Sequence, residues 1–224
     1  MDDSAMLLIF MALILGFRHG FDLDHLSTID SITRTVRDNR YLSKIIGILF
    51  SLGHGLVVTS ISIIIGSGIM RSQPPLWLDH FGNWVSIFFL FSLGILTLWN
   101  VFQRQTQLAS TSLKGLLLRK IIHQRCNPLF IMFIGALFAF SFDTFSQVAL
   151  FSISASLFSG WLFSGVLGVI FMLGMMISDG VNGLFISKLI QRADKTSLFT
   201  SRVVGIAISI FSLTIATLNL IKSA

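Results

Sequence analysis

Residues 6–26 read MLLIFMALILGFRHGFDLDHL: ten apolar residues, Met6 to Leu15, run directly into Arg18, His19, Asp22, Asp24 and His25. Five ionisable residues therefore fall within the eight from 18 to 25, and Asp30 follows a turn later. An ionisable group in hydrocarbon costs several kcal/mol unless it faces a bundle interior, pairs with another group or meets an ion. A polar cluster on a helix of this kind predicts a membrane protein with something to bind at its centre.

The rest of the chain agrees with that solvent. Of its 224 residues 54% are apolar and 12% charged, with mean hydropathy +0.84, outside the range of soluble domains. A helix needs roughly 20 residues to cross about 30 Å of hydrocarbon. Apolar segments at about 5–29, 44–70, 81–102, 128–157, 161–187 and 202–221 predict an all-α polytopic membrane protein of about six transmembrane helices, forming one domain over 1–224. The neighbourhood of Ser159 and Gly160 supplies the turn between the fourth and fifth spans. The N-terminus, with Asp2 and Asp3 and no Ala-x-Ala pattern, reads as the start of a first span and not as a cleaved leader.

The basic residues sort the loops. Arg34, Arg37, Arg40 and Lys44 follow the first span, Arg104, Lys114, Arg119, Lys120 and Arg125 the third, and Lys188, Arg192, Lys195 and Arg202 the fifth. With alternating spans these clusters share one side, and the other carries little beyond Arg71 and Lys222. The positive-inside rule then places both termini outside the cytoplasm. The net charge of +6 is spent on topology, so no nucleic-acid partner is implied and the partner surface is the lipid bilayer. Residues 107–125 mix leucines and isoleucines with basic residues, which fits either a helix on the anionic leaflet or an ordinary loop.

Spans one and four share a Phe-Asp pair, Phe21-Asp22 and Phe142-Asp143, while Gly53-His54-Gly55 in span two corresponds to Ser178-Asp179-Gly180 in span five. With span one running inward and span four outward, the pattern is that of two inverted three-helix repeats meeting at mid-membrane.

On a continuous helix His19, Asp22 and His25 fall within an arc of ~120°, able to offer two imidazoles and a carboxylate to one ion. Asp24 lies off that arc, so it either orients an imidazole or reaches the site through a distortion near Gly20. His54 sits ten residues into span two and Asp143 fifteen into span four, both near mid-membrane, with Asp179 and Asn182 in span five. The alternative for the first span is a structural network in which Arg18 pairs with Asp22 or Asp24. For His54, Asp143 and Asp179 the alternative is helix–helix hydrogen bonding. His80 and His123 read as solvated loop residues. The chain has one cysteine, Cys126, in a basic stretch, so a metal would be held by nitrogen and oxygen. Such ligands suit divalent nickel, cobalt, zinc or manganese and argue against a cuprous site.

The run from Leu15 to Leu26, with Ile29-Asp30 after it, strongly resembles the signature of the nickel/cobalt transporter family, H-x-x-x-x-D-H in a transmembrane helix, here His19, Asp24 and His25. Phe50 to Gly55, Phe142-Asp143-Thr144 and Gly174-Met175 through Asp179 resemble the family's second, third and fourth motifs, in order. The resemblance implies a permease in which nickel or cobalt is cargo and no cofactor is held, with His19, Asp22, Asp24, His25 and His54 in metal recognition. Two positions depart from the pattern: Gln147 stands where the family ordinarily has Glu, and Asn182 where it has Asp. Members ordinarily have eight spans, with the motif on the second, which implies a compact form, a homo-oligomer or a partner subunit. The family implies a bacterial-type inner membrane.

No P-loop occurs, so the chain does not hydrolyse ATP itself. His19-x-x-x-x-Asp24 also matches the spacing of lipid acyltransferases, but that chemistry wants an aqueous interface and this histidine lies inside a span. A metal exporter or a membrane metal sensor could use the same ligands.

Overall fold

The computed structural model describes residues 3–37, 39–69, 76–103, 127–140, 145–155, 160–191 and 195–223. Among these residues the chain is helical throughout: α1 Asp3–His19, α2 Leu23–Thr35, α3 Leu42–Gly66, α4 Leu76–Gln103, α5 Pro128–Phe138, α6 Phe145–Ser154, α7 Gly160–Gln191 and α8 Lys195–Ser223.

The helix ends have local causes. Asn39 Oδ1 accepts the backbone N–H of Leu42 at 3.1 Å where α3 starts. Asn127 caps α5 by accepting from Phe130 N at 2.7 Å, with Pro128 at the first helical position, where its missing N–H costs nothing. Gly160 opens α7 at φ +47° and Gly68 follows α3 at φ +77°, a region closed to most L-residues.

Two of the expected spans are divided. The stretch expected at 5–29 is no continuous helix: α1 stops at His19, residues 20–22 turn, and α2 departs at 54°. Gly20 N still reaches Gly16 O, but Phe21 N and Asp22 N fall back on Arg18 O and His19 O, which closes the first helix. The stretch expected at 128–157 is likewise two helices, α5 and α6, with Ala139 and Phe140 turning between them. By length and composition α3, α7 and Arg202–Ile221 of α8 are each apolar enough to cross a membrane, and the bent α1–α2 pair, a broken span or a re-entrant loop, is a fourth candidate. The apolar stretches of α4 and α5, Asn83–Trp99 and Pro128–Phe138, are shorter. His80, expected in a loop, lies on α4 with its side chain exposed. His123, Cys126, Asp143 and the segment 107–125 lie outside the described residues.

The centre of the bundle is the antiparallel pair α3 and α7. Their backbones touch: a Cβ on Gly47 would fall on the Asp179 carbonyl, one on Gly55 on the Met172 side chain, and one on Gly168 within 2.7 Å of Thr59 Cα. α1 lies against α7, with Gly16 on the Phe171 carbonyl and Gly174 on that of Leu13. α5 lies against α3 in the same way, with Gly53 on the Met132 carbonyl and Gly135 on that of Phe50. In lipid, where apolar contact gains nothing over the tails, such close backbone approach is a main source of helix association.

α4 pairs with α8, and α2 is enclosed by α3, α4, α7 and α8. Enclosure explains its composition, since Ser27, Thr28, Asp30, Ser31, Thr33 and Arg34 are all buried. Asp30 and Arg34 neutralise each other through a bidentate pair, Nε to Oδ2 at 2.8 Å and Nη2 to Oδ1 at 2.9 Å. Outward the bundle shows Trp84, Phe88, Phe91, Ile95 and Trp99 of α4 and Ile210, Phe211 and Leu218 of α8, a surface suited to lipid.

Candidate metal centre

The break in the first span builds the site. His19 closes α1 and His25 stands in the first turn of α2, so two residues on either side of a turn converge with ring centroids 4.6 Å apart. The expected arc on one straight helix is not how they meet. His54 joins them from α3, where it is the thirteenth of 25 residues, at centroid distances of 5.1 Å from His19 and 4.8 Å from His25. All three are buried, and one ligand atom from each lies within 4.8 Å of the others. Phe50 and Phe171 wall the cluster, centroids 4.9 Å from His25 and 5.4 Å from His19.

Each imidazole is held by a partner that fixes the position of its proton. Asp22 Oδ2 takes the Nδ1–H of His19 at 2.8 Å, and Asp179 Oδ2 takes that of His25 at 2.9 Å. In the neutral ring a proton on Nδ1 leaves the lone pair on Nε2. Asp179 is itself fixed by Ser51, whose hydroxyl donates to the same oxygen at 2.6 Å. Gln147 of α6 donates from its amide to the Ala139 carbonyl at 3.3 Å and reaches His54 Nε2 at 3.3 Å. Because a carbonyl only accepts, the amide nitrogen faces both, and His54 Nε2 is then an acceptor.

Nε2 of His19 and of His54 stand 3.2 Å apart. With both nitrogens bearing lone pairs, the arrangement calls for a proton or a cation between them. Two imidazole nitrogens each about 2.0–2.1 Å from one tetrahedral ion stand about 3.3–3.4 Å apart, and the observed separation is close to that. His25 Nε2 is buried without a hydrogen-bond partner among the described residues, as a ligand awaiting an ion would be.

The sequence-predicted residues thus separate. His19, His25 and His54 come together. Asp22 and Asp179 touch imidazoles and not the common centre. Asp24, half-buried, accepts the backbone N–H of His25 at 3.0 Å and so secures the start of α2. Asp143 lies outside the described residues. Ser51 was missed, although it stands one turn before His54, and so were the two phenylalanine walls. Gly53 and Gly55, which flank His54, make room for α5 and α7.

A helical bundle with membrane-spanning candidates and three buried imidazoles, two of them held by carboxylates, is the class of membrane protein with the donor set of a candidate transition-metal site. Residues 5–223 match the family described as high-affinity nickel-transport protein, NicO, and the chain belongs to that family. It is 29% identical over 201 residues to the nickel transporter NixA of Staphylococcus aureus, covering 78% of this chain and 59% of that one. It is 30% identical over 216 residues to the high-affinity nickel-transport protein NixA of Helicobacter pylori, covering 84% and 65%. A shorter stretch of 60 residues is 37% identical to the cobalt transport protein NhlF of Rhodococcus rhodochrous, 26% of this chain and 16% of that one. The chain spans less than two thirds of the length of these relatives. No solved structure matches it. The family is one of transporters and not of enzymes, so the acyltransferase reading falls.

Proposed function

We propose that this protein carries nickel or cobalt ions across a bacterial-type inner membrane, uptake being the direction, and that the ion binds His19, His25 and His54 together. The observation that carries the reading is the convergence of three buried imidazoles within 4.8 Å. Family membership and the relatives' names, nickel and cobalt transport proteins, point the same way. Nitrogen ligands in a site walled by Phe50 and Phe171 suit these two metals.

In this reading Asp22 and Asp179 keep the imidazoles turned with Nε2 inward, which raises their basicity and spares each ring a search for its rotamer. Asp24 acts through the backbone of His25, and Asp143 is retained as a candidate from its motif alone. Six spans fit if α4, 28 residues long, crosses and if α5 and α6, 11 and 10 residues, form one broken span. Both termini then lie outside the cytoplasm. Two inverted repeats would make α3 and α7 equivalent helices of opposite direction. Their antiparallel pairing, and the matching glycine docking of α1 on α7 and α5 on α3, support that reading. Alternating access would follow from rocking one half against the other. A second copy or another subunit would complete the bundle.

The test is metal accumulation by cells producing the chain. Nickel or cobalt rises above control, and His19→Ala, His25→Ala and His54→Ala each remove the gain while leaving the protein in the membrane. Depletion in place of accumulation would make it an exporter, and transport that persists without the three histidines would overturn the site.

A further inference from the structure

The buried polar groups do not end at the imidazoles. α2 and α7 run parallel past the site: His25 Nδ1 meets Asp179 Oδ2 at 2.9 Å, and one turn on Ile29 Cγ2 lies 3.7 Å from where a Cβ of Gly183 would be. Thr28 and Asn182, each three residues beyond the His25–Asp179 pair, are therefore at one depth, about 4.5 Å further along the helices at 1.5 Å per residue. Ser31 follows Thr28 on α2, on the stripe that also carries Asp24 and Thr35.

These groups share an unusual state. Thr28 Oγ1, Ser31 Oγ, Asn182 Nδ2 and Asp179 Oδ1 are all buried with no hydrogen-bond partner among the described residues, and Thr28, Ser31 and Asp179 are 0% exposed. A hydroxyl inside a helix ordinarily donates to the carbonyl four residues back. Ser51, Thr35, Ser152, Ser209 and Thr217 of this chain do so, at 2.7 to 2.9 Å. Thr28 and Ser31, on one helix and one turn apart, do not. Buried polar atoms left unpaired are rare because they cost folding energy; the two adjoining helices carry five besides His25 Nε2, and with Thr33 set on another face of α2, about 140° round from Thr28, the other four call for a common ligand.

We infer that Thr28, Ser31, Asn182 and the free oxygen of Asp179 form a second resting place for the ion, one turn beyond the imidazoles toward the basic end of α2. The inference rests on the transport reading above. The ligand it takes is a divalent transition-metal ion that has left the nitrogen site and regained part of its water shell. Hydroxyl and amide oxygens hold such an ion less tightly than imidazole does and accept hydrogen bonds from its waters, Asn182 doing so with its amide turned to bring the oxygen where the unpaired nitrogen stands. An ion leaving three imidazoles can thus exchange nitrogen for oxygen and water stepwise.

The test compares purified wild-type protein with Thr28→Val/Ser31→Ala and with Asn182→Leu, measuring nickel binding in detergent, nickel flux into vesicles and thermal unfolding. Flux falls about tenfold in both variants while affinity at the imidazole site stays within about twofold, the split expected when a step after binding is slowed. A second, weaker nickel equivalent bound by wild type disappears. If the double substitution unfolds early, Thr28→Ala alone carries the same comparison, and restoring the hydroxyl as Thr28→Ser recovers part of the flux. Wild-type flux in the variants would overturn the second site. An affinity loss as large as that of His25→Ala would merge these residues with the first. Wild-type protein that neither binds nor carries nickel or cobalt would overturn the transport reading itself.

Discussion

In the first half of the chain α1 ends at His19 and α2 begins at Leu23; in the second, α5 ends at Phe138 and α6 begins at Phe145. Each broken element is followed by a long helix, α3 or α7, and each first segment docks on the long helix of the other half through a pair of glycines. The scaffolding is matched, yet the chemistry is not. All three imidazoles come from the first half, whereas the second contributes Asp179, which orients His25, and Gln147, which reaches His54. The difference teaches that a candidate centre between two similar halves need not be similar itself: the first half supplies all three imidazoles and, in Asp22, the group that aims His19, and the second supplies Asp179 and Gln147, which hold His25 and His54.

The most severe way to break this division is to remove a ligand. His54→Ala should weaken nickel binding by more than about 100-fold, since removing even an orienting partner costs about 10–100-fold. Isothermal titration with the folded protein checks it, and a variant that binds normally but unfolds early would make His54 a packing residue.

Next comes an aiming group of the second half. Asp179→Asn should cost about 10–100-fold in nickel affinity, and Asp22→Asn should cost less. Asp179 is fully buried, while the Asp22 side chain is 26% exposed, so water can stand in for the lost acceptor. Equal losses at the two positions would deny the buried pair its special role.

The scaffold, by contrast, should answer alike in both halves. Gly16→Ala and Gly135→Ala each drive a Cβ onto a neighbouring carbonyl, and overpacking of this kind costs about 1–3 kcal/mol. Thermal unfolding in detergent should fall similarly for both. A large loss at one glycine and none at the other would argue against matched docking.

The smallest expected effect is at Gln147. Gln147→Glu places a carboxylate beside His54, which should tighten nickel binding a few-fold, because its attraction for the ion is largely offset by the cost of burying the carboxylate. An unchanged titration would confine the side chain to packing.

Parts of this arrangement are legible in the sequence for physical reasons. Five ionisable residues in eight, inside an apolar run, cannot be indifferent to a membrane, so the neighbourhood of the site is written locally. The depth of His54 follows from counting along a regular helix, and it stands where the count puts it, midway along α3. The break at 20–22 is less legible, because apolar content and helix length look the same on either side of a turn, and only Gly20 hinted at it. The same holds for the division of the stretch from 128 to 157. Contacts such as His25–Asp179, 154 positions apart, are set by the approach of α2 to α7, which depends on the bend and on glycines whose partners no local pattern names.

The central claim is that one ion binds three imidazoles at once. X-ray absorption spectroscopy of nickel bound to the purified protein counts those rings through their outer-shell scattering. The wild-type spectrum should fit three imidazoles, and His19→Ala, His25→Ala or His54→Ala should each lower the number by one. A wild-type shell of oxygen alone, or an imidazole count that His54→Ala leaves unchanged, would contradict it.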